Sequence, residues 1–181
     1  MGPLEVGVLA IWAMLPAYLP NNVAVVAGGG PPIDGGRRWR GARLLGDGKT
    51  WRGLAAGVLA GLLVAVVLTA LVPAASGVLG VPVPAFTLGA AVALPAGALL
   101  GDIGASFLKR RLGRERGAAV PLLDQLDLVV GAVALAFLLA PGWAAGTFTL
   151  PVLAAVVVLT PALHLGTNAV GYALGLKREP W

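Results

Sequence analysis

Five aspartates beside two basic segments are the residues of this 181-residue chain best suited to chemistry. They are Asp34, Asp47, Asp102, Asp124 and Asp127. Carboxylate oxygens are preferred ligands of Mg²⁺, and neighbouring lysines and arginines can neutralise phosphate groups. The chain contains no cysteine, which excludes a thiolate metal site and a thiol nucleophile. This pattern predicts phosphoryl or nucleotidyl chemistry.

The first basic segment ends in a glycine-rich stretch, 46–50, directly before a hydrophobic run. Glycines let backbone N–H groups approach phosphate oxygens, and Lys49 and Thr50 would stand at a helix N-terminus, where the helix dipole favours an anion. The stretch predicts an anion cradle, although a Walker A loop would need glycine at Arg43 and a preceding strand. A flexible loop that ends in a threonine helix cap explains the same residues equally well.

The second basic segment extends the third hydrophobic run. At 3.6 residues per turn, Asp102, Ser106, Lys109 and Arg110 fall within about 100° of one helical face. That face would present a carboxylate, a hydroxyl and two cations to one ligand.

Asp124 and Asp127 are one helical turn apart at the start of the fourth hydrophobic run. Acids in a first turn can simply complement the helix dipole, and this reading stays open for the pair. Together with Asp102 beside a basic cluster, they form the oxygen-rich set that Mg²⁺ requires.

The composition indicates an integral membrane protein, because 58% of the residues are hydrophobic, 12% are charged and the mean hydropathy is +0.89. We expect one polytopic all-α membrane domain over residues 1–181, with five transmembrane helices and cytoplasmic loops at 21–52 and 101–125. The predicted spans are 3–20, 53–72, 83–100, 126–143 and 150–175.

Orientation follows from the lysines and arginines, which lie only at 37–52, 109–116 and 177–178, whereas 72–83 and 141–150 carry no charge. Short basic loops stay in the cytoplasm, which predicts an external N-terminus, a cytoplasmic C-terminus and a site facing the cytoplasm. A net charge of +5 could indicate nucleic acid. The lysines and arginines form short clusters beside the hydrophobic spans, which favours binding of anionic lipid headgroups or a phosphorylated substrate instead. No nucleic-acid partner is therefore expected.

A polar stripe of His164, Asn168 and Tyr172 recurs every four residues in the last run. It is either structural or substrate-lining, and interhelical hydrogen bonding is favoured.

Several separated motifs, in this order, resemble the CDP-archaeol synthases, relatives of the phosphatidate cytidylyltransferases. The motifs are Pro16-Ala17-Tyr18 with Asn21 and Asn22, Pro32-Ile33-Asp34, 46–53, Gly101-Asp102 with Ser106 and Lys109-Arg110-Arg111, Arg116-Gly117, Pro121, 123–127, Leu174-Gly175-Leu176-Lys177 and Pro180-Trp181. The chain departs from the larger group in having Gly46-Asp47-Gly48 where that group has Ser-Pro.

The resemblance implies a Mg²⁺-dependent enzyme of an archaeal plasma membrane. The implied reaction transfers CMP from CTP to unsaturated archaetidic acid (2,3-bis-O-geranylgeranyl-sn-glycerol 1-phosphate) and yields CDP-archaeol and pyrophosphate. By analogy, Asp102, Asp124 and Asp127 are implied metal ligands, with Lys109 and Arg110 as further catalytic residues. The remaining matches imply substrate or nucleotide binding by Asn21, Asp34, Arg43, Asp47, Gly48, Lys49, Thr50, Ser106, Arg111 and Gln125.

Two other functions fit the sequence less well. A CDP-alcohol phosphotransferase resembles the chain only loosely, because Asp34-Gly35 is separated from Ala42-Arg43 by six residues and the final acids have the wrong spacing. A membrane transporter should line a path across the bilayer with polar residues, and outside the last run the sequence offers none.

Overall fold

Residues 1–114, 120 and 122–173 are described by the computed structural model, without the side chains of residues 167–171 and 173. This part of the chain is mostly helical and contains one short hairpin. The elements are α1 Pro3–Val26, β1 Arg38–Trp39, β2 Ala42–Arg43, α2 Trp51–Leu79, α3 Leu88–Arg111, α4 Leu123–Leu139, α5 Pro141–Thr147 and α6 Leu150–Ala173.

The ends of the central helices are set by local sequence. The Thr50 hydroxyl accepts the Gly53 N–H at 3.1 Å and caps α2, and the Thr87 hydroxyl accepts the Ala90 N–H at 3.2 Å and caps α3. Helix α2 ends at Leu79, and the next residue, Gly80, caps it in a left-handed conformation with φ of 64°, which is strained for a residue with a side chain.

Prolines shift two of the predicted spans. Helix α3 begins at Leu88 instead of 83, because Pro84 restricts the preceding residue to extended backbone. The predicted span 126–143 is divided, since α4 ends at Leu139 and α5 begins at Pro141. Ala140 between them has φ of -144° and ψ of 55°, outside the helical region.

Helices α1 and α2 pack through a glycine face. Along that face, α2 glycines lie against α1 carbonyl oxygens, pairing Gly53 with Ala24, Gly57 with Pro20 and Gly61 with Pro16. The Pro16 carbonyl has no helical donor four residues later, because Pro20 lacks an N–H. Small residues at such a contact let two helix backbones approach closely in a membrane.

Helix α3 occupies the centre, in contact with α1, α2 and α4, and α6 packs on α1 and α4. The contact between α3 and α4 also depends on glycine: Gly97 lies against the Gly131 carbonyl, and Gly101 lies against the Asp127 carbonyl. The acidic start of α4 is therefore held next to Asp102.

At the end of the bundle away from Asp102, two tryptophans bind the segment between α2 and α3. Trp12 donates its indole N–H to the Pro84 carbonyl at 2.9 Å, and Trp143 donates to the Ala85 carbonyl at 2.8 Å. The segment between α2 and α3 is thus tied to both α1 and α5.

The described helices fit a membrane environment. By length and composition, α1, α2 and α3 can each cross a membrane, and a fourth crossing results if α5 and α6, bent by 79°, count as one span. Helix α4, with 17 residues, is not among these crossings, so the described helices account for three or four of the five predicted spans.

The α2 glycine face gives a stability prediction. A Cβ at Gly61 would collide with the Pro95 side chain and the Pro16 carbonyl oxygen, so Gly61→Ala must push three helices apart. We expect a destabilisation of about 1–3 kcal/mol, seen as a lower melting temperature in detergent. The matched control is Gly77→Ala in the same helix, where a Cβ meets nothing within 4 Å and stability should be unchanged or slightly higher. Equal melting temperatures for both variants would contradict this packing.

Candidate active site

The loop between α1 and α2 folds around one buried carboxylate. Asp34 accepts hydrogen bonds from the N–H groups of Gly36, Leu45 and Gly46 at 3.0, 3.0 and 3.2 Å. Its oxygens also pair with the Arg43 guanidinium at 2.8 Å. The Arg43 bond and, to a lesser degree, the backbone donors hold the pKa of Asp34 well below its usual range, although burial opposes this.

Arg43 joins this core to the end of the loop. Its guanidinium also pairs with Asp47 at 2.7 Å. The Asp47 side chain is 63% exposed, whereas that of Asp34 is 1% exposed. Asp34 is accordingly the structural partner, and Asp47 remains open to solvent.

A hairpin of β1 and β2 projects from the same loop. Trp39 pairs with Ala42 in an antiparallel register, which leaves Arg40 and Gly41 as a two-residue turn. Both turn residues have positive φ, 52° and 80°, as a tight hairpin with the right-handed strand twist requires.

Lys49 brings the end of the loop to α3. Its ammonium group forms an ion pair with Asp102, and its carbonyl accepts the Ile33 N–H at 2.8 Å. Next to it, Thr50 is buried as the cap of α2. The cationic group is therefore held between the first loop and the α3 face.

A second ion pair joins α3 to α4. Lys109 contacts Asp124 at 2.7 Å, and Asp124 also accepts the Val120 N–H at 2.9 Å. Asp127, one turn further, lines an apolar groove between α3 and α4. The predicted acids of α4 thus differ in setting.

A charged pocket lies where these elements meet, between the glycine-rich stretch and the α3 face. Its lining residues are Leu45, Gly46, Gly48, Lys49, Asp102, Ser106, Lys109 and Arg110. The predicted arrangement of Asp102, Ser106, Lys109 and Arg110 on one helical face is observed. We define this cavity as the charged pocket.

An apolar pocket adjoins it and shares Gly48, Lys49 and Asp102. It lies between α1, α2 and α3 and includes Leu54, Leu99 and Ile103 among its lining residues. Asn21 also lines it, and Oδ1 of Asn21 is buried without a hydrogen-bond partner among the described residues.

Several predicted site residues lie outside both pockets. Asp34, Arg43 and Asp47 form the loop core, and Arg111 contacts the hairpin. Gln125 lines neither pocket and donates its backbone N–H to the Leu122 carbonyl at 3.3 Å.

Some predictions fall outside the described residues. These are Arg116-Gly117, Pro121, the tail 174–181 with Lys177 and Arg178, and the side chain of Asn168. Of the polar stripe, Tyr172 is 51% exposed. The role predicted for the stripe stays open.

Sequence patterns did not indicate the aromatic support of the hairpin. Trp39 stacks on Phe107 with ring centroids 6.1 Å apart, and the Arg111 guanidinium lies over both rings. The only available signal was the Arg40-Gly41 turn, which favours a hairpin that could bring Trp39 back onto α3.

The donor chemistry of the predicted metal ligands suits Mg²⁺, because Asp102, Asp124 and Asp127 are oxygen donors on adjoining helices. In the described part of the chain, no group of three or more acidic, histidine or cysteine side chains is arranged to hold a metal ion. The metal site stays a prediction.

These features define a helical integral membrane protein with a charged pocket between its first loop and α3. The family model described as CarS-like, CDP-archaeol synthase, matches residues 4–181, so the chain belongs to the CDP-archaeol synthase family.

Curated relatives extend over nearly the whole chain. CDP-archaeol synthases of Halobacterium salinarum and Halorubrum lacusprofundi are each 64% identical, over 96% and 95% of this chain and 96% of each relative. That of Methanosarcina acetivorans is 49% identical over 93% of this chain and all of the relative.

A solved structure described as an intramembrane enzyme for archaeal membrane lipid biosynthesis is also similar. It aligns with a TM-score of 0.71 and 42% identity, over 88% of this chain and 92% of the other. The similarity supports the membrane-embedded helical fold.

The low pKa of Asp34 predicts how stability depends on pH. Since the folded-state value lies below the unfolded value of about 3.9, the ionised carboxylate stabilises the fold above that pH. This contribution is lost as the pH falls below it. We expect Asp34→Asn to destabilise the protein by about 2 kcal/mol at pH 7, and the difference from wild type to shrink below about pH 4.

Melting temperatures measured across pH in detergent test this expectation. Asp47→Asn is the control, because it removes an exposed partner of the same arginine and should change stability little. A difference for Asp34→Asn that grows as the pH falls would refute the assignment.

Proposed function

We propose that this protein transfers CMP from CTP to unsaturated archaetidic acid, 2,3-bis-O-geranylgeranyl-sn-glycerol 1-phosphate, and forms CDP-archaeol and pyrophosphate. The observation that carries the proposal is the charged pocket beside an apolar one, in a chain that belongs to the CDP-archaeol synthase family over nearly its whole length. The reaction serves membrane phospholipid biosynthesis in archaea.

The two pockets suit two different substrates. The charged pocket offers Lys49, Lys109 and Arg110 to a triphosphate, with the Ser106 hydroxyl as a further donor. The adjoining apolar pocket is proposed to take the glycerol end of the lipid, with the isoprenoid chains extending beyond it into the bilayer. Gly48, Lys49 and Asp102 line both, so the two phosphate groups would meet at this boundary.

The proposed chemistry needs no protein nucleophile. An oxygen of the lipid phosphate attacks the α-phosphorus of CTP in line with the leaving group, a new P–O bond forms, and the bond to pyrophosphate breaks. A phosphate monoester is already largely ionised near neutral pH, with a second pKa near 6. Lys49, Lys109 and Arg110 therefore act by orienting the substrates and neutralising their charge.

Mg²⁺ is proposed as the cofactor, held by Asp102, Asp124 and Asp127. When bound, it would neutralise phosphate oxygens as charge develops on the leaving pyrophosphate. The three acids lie on adjoining segments of α3 and α4, since Gly101 packs against the Asp127 carbonyl. Lys49 and Lys109, which contact Asp102 and Asp124, would stand beside the same phosphates.

The topology proposed is five spans, α1, α2, α3, α4 and α6, with the N-terminus outside and the C-terminus and active site on the cytoplasmic side of the plasma membrane. At 17 residues, α4 is about 26 Å long, close to the hydrocarbon thickness of about 30 Å. The contacts support a site at one end of the bundle: Lys49 pairs with Asp102 of α3 at that end, whereas Trp143 contacts the Ala85 carbonyl at the other end.

Single cysteines can test the topology because the chain has none of its own. Cysteines at Gly77 and Gly146 should react with an impermeant maleimide from outside the cell. Arg114→Cys, in an exposed position of the cytoplasmic loop, should react only after the membrane is opened. Labelling of Gly77→Cys and Gly146→Cys from the cytoplasmic side alone would reverse the proposed orientation.

The function is tested with purified protein, labelled CTP, Mg²⁺ and the lipid phosphate. We expect a CDP-lipid and pyrophosphate in equal amounts. Asp102→Asn, Asp124→Asn and Asp127→Asn should each keep the fold and lower turnover by at least about 100-fold, because an amide keeps the shape but loses the charge that holds the metal.

The outcomes separate the open readings. If Asp124 and Asp127 only complement the helix dipole, their asparagine variants should melt slightly lower and keep near-normal turnover across a Mg²⁺ titration. Release of CMP from a CDP-lipid and an alcohol, without use of CTP, would indicate a CDP-alcohol phosphotransferase instead.

A further inference from the structure

The Arg111 side chain holds the β1–β2 hairpin on the end of α3. We propose that Arg111 is a positioning residue: it clamps the hairpin so that the loop wall of the charged pocket keeps its place, and it does not bind phosphate. The role in turnover rests on the proposed function, whereas the clamp itself is a property of the fold.

The contacts of the guanidinium group support a clamp. Nη1 donates to the Trp39 carbonyl at 2.7 Å, and Nη2 donates to the carbonyls of Arg43 and Ala42 at 2.8 and 3.4 Å. These carbonyls belong to both strands of the hairpin. The planar group also lies 5.1 Å from the Trp39 ring centroid and 5.3 Å from that of Phe107.

The position of Arg111 on α3 separates it from the pocket. Arg110 and Lys109 line the charged pocket, and Arg111 is not among its lining residues. One residue along a helix turns the side chain by about 100°, so consecutive residues face different partners. Two neighbouring arginines can therefore have two different tasks.

The hairpin leads directly into the pocket wall. Strand β2 ends at Arg43, and the Leu44 N–H then donates to the Arg37 carbonyl at 3.0 Å. The next two residues, Leu45 and Gly46, line the pocket and are bonded to Asp34, the partner of Arg43. A shift of the hairpin would thus be passed on to the stretch that carries Lys49.

Only arginine has the shape for this task. Its planar group can donate to several carbonyls and stack on two rings at once, whereas a lysine ammonium is a compact charge on a flexible stem. A clamp therefore requires the guanidinium geometry. A phosphate contact would chiefly require the positive charge.

The first experiment compares Arg111→Ala and Arg111→Lys with wild type by hydrogen–deuterium exchange in the absence of nucleotide. We expect both variants to speed exchange of residues 36–46 by at least about tenfold, while α1 and α2 exchange as before. Turnover at saturating substrates should fall by about 10- to 100-fold in both. Arg114→Ala, which removes an exposed arginine of the same segment, should change neither quantity.

The second experiment replaces the clamp with a covalent link that has no charge. The double variant Ala42→Cys/Arg111→Cys, treated with a short bifunctional maleimide, should regain slow exchange and turnover within about threefold of wild type. Ala42→Cys alone, treated in the same way, controls for the reagent. A residue needed to contact phosphate could not be rescued by this link.

Each outcome decides the proposal. Unchanged exchange in Arg111→Ala would overturn the clamp, as would near-normal turnover in Arg111→Lys. Restored exchange without restored turnover in the linked protein would show that the charge of Arg111 is what matters. If wild-type protein forms no CDP-lipid, the proposed function fails, and the exchange measurements still test the clamp.

Discussion

The close contact between α3 and α4 is the constraint on which the candidate site depends. Gly97 and Gly101 let the two backbones touch, and the Asp127 carbonyl lies where any larger residue at position 101 would place its side chain. In lipid such contact must come from packing, because apolar side chains gain little by leaving hydrocarbon. The same glycines set the separation of Asp102 from the acids of α4. Helix packing and site geometry are therefore one property.

Charge is handled by pairing at one end of an apolar bundle. Among the described residues, Asp34 pairs with Arg43 inside the first loop, Lys49 of that loop pairs with Asp102 of α3, and Lys109 of α3 pairs with Asp124 of α4. Unpaired charges near a bilayer are costly, and each pair lowers that cost. The Lys49 and Lys109 pairs also join two elements. The pairs thus connect the loops to the helices that carry the site.

Hydropathy predicted the helices, because a long apolar run in this chain must be surrounded by lipid or by other helices. The 3.6-residue period of a helix correctly placed Asp102, Ser106, Lys109 and Arg110 on one face. Helix ends were predicted less well, since Pro84 and Pro141 restrict the residues before them. The contacts of Arg111 were not predictable, because its partners are backbone carbonyls brought near by tertiary folding. The glycine-rich loop does gather N–H donors around an anion, but the anion they surround is the carboxylate of Asp34.

This internal anion changes where a substrate phosphate can be bound. The N–H groups of Gly36, Leu45 and Gly46 are already used by Asp34, so the proposed phosphate binding rests on the cationic side chains of the charged pocket. Those are Lys49, Lys109 and Arg110. Lys49 and Lys109 each form an ion pair with a carboxylate. A triphosphate and a phosphate monoester together carry more negative charge than three cationic side chains can neutralise. The charge balance therefore favours a divalent cation at the carboxylates, as proposed for Mg²⁺, with the lysines left to contact phosphate oxygens.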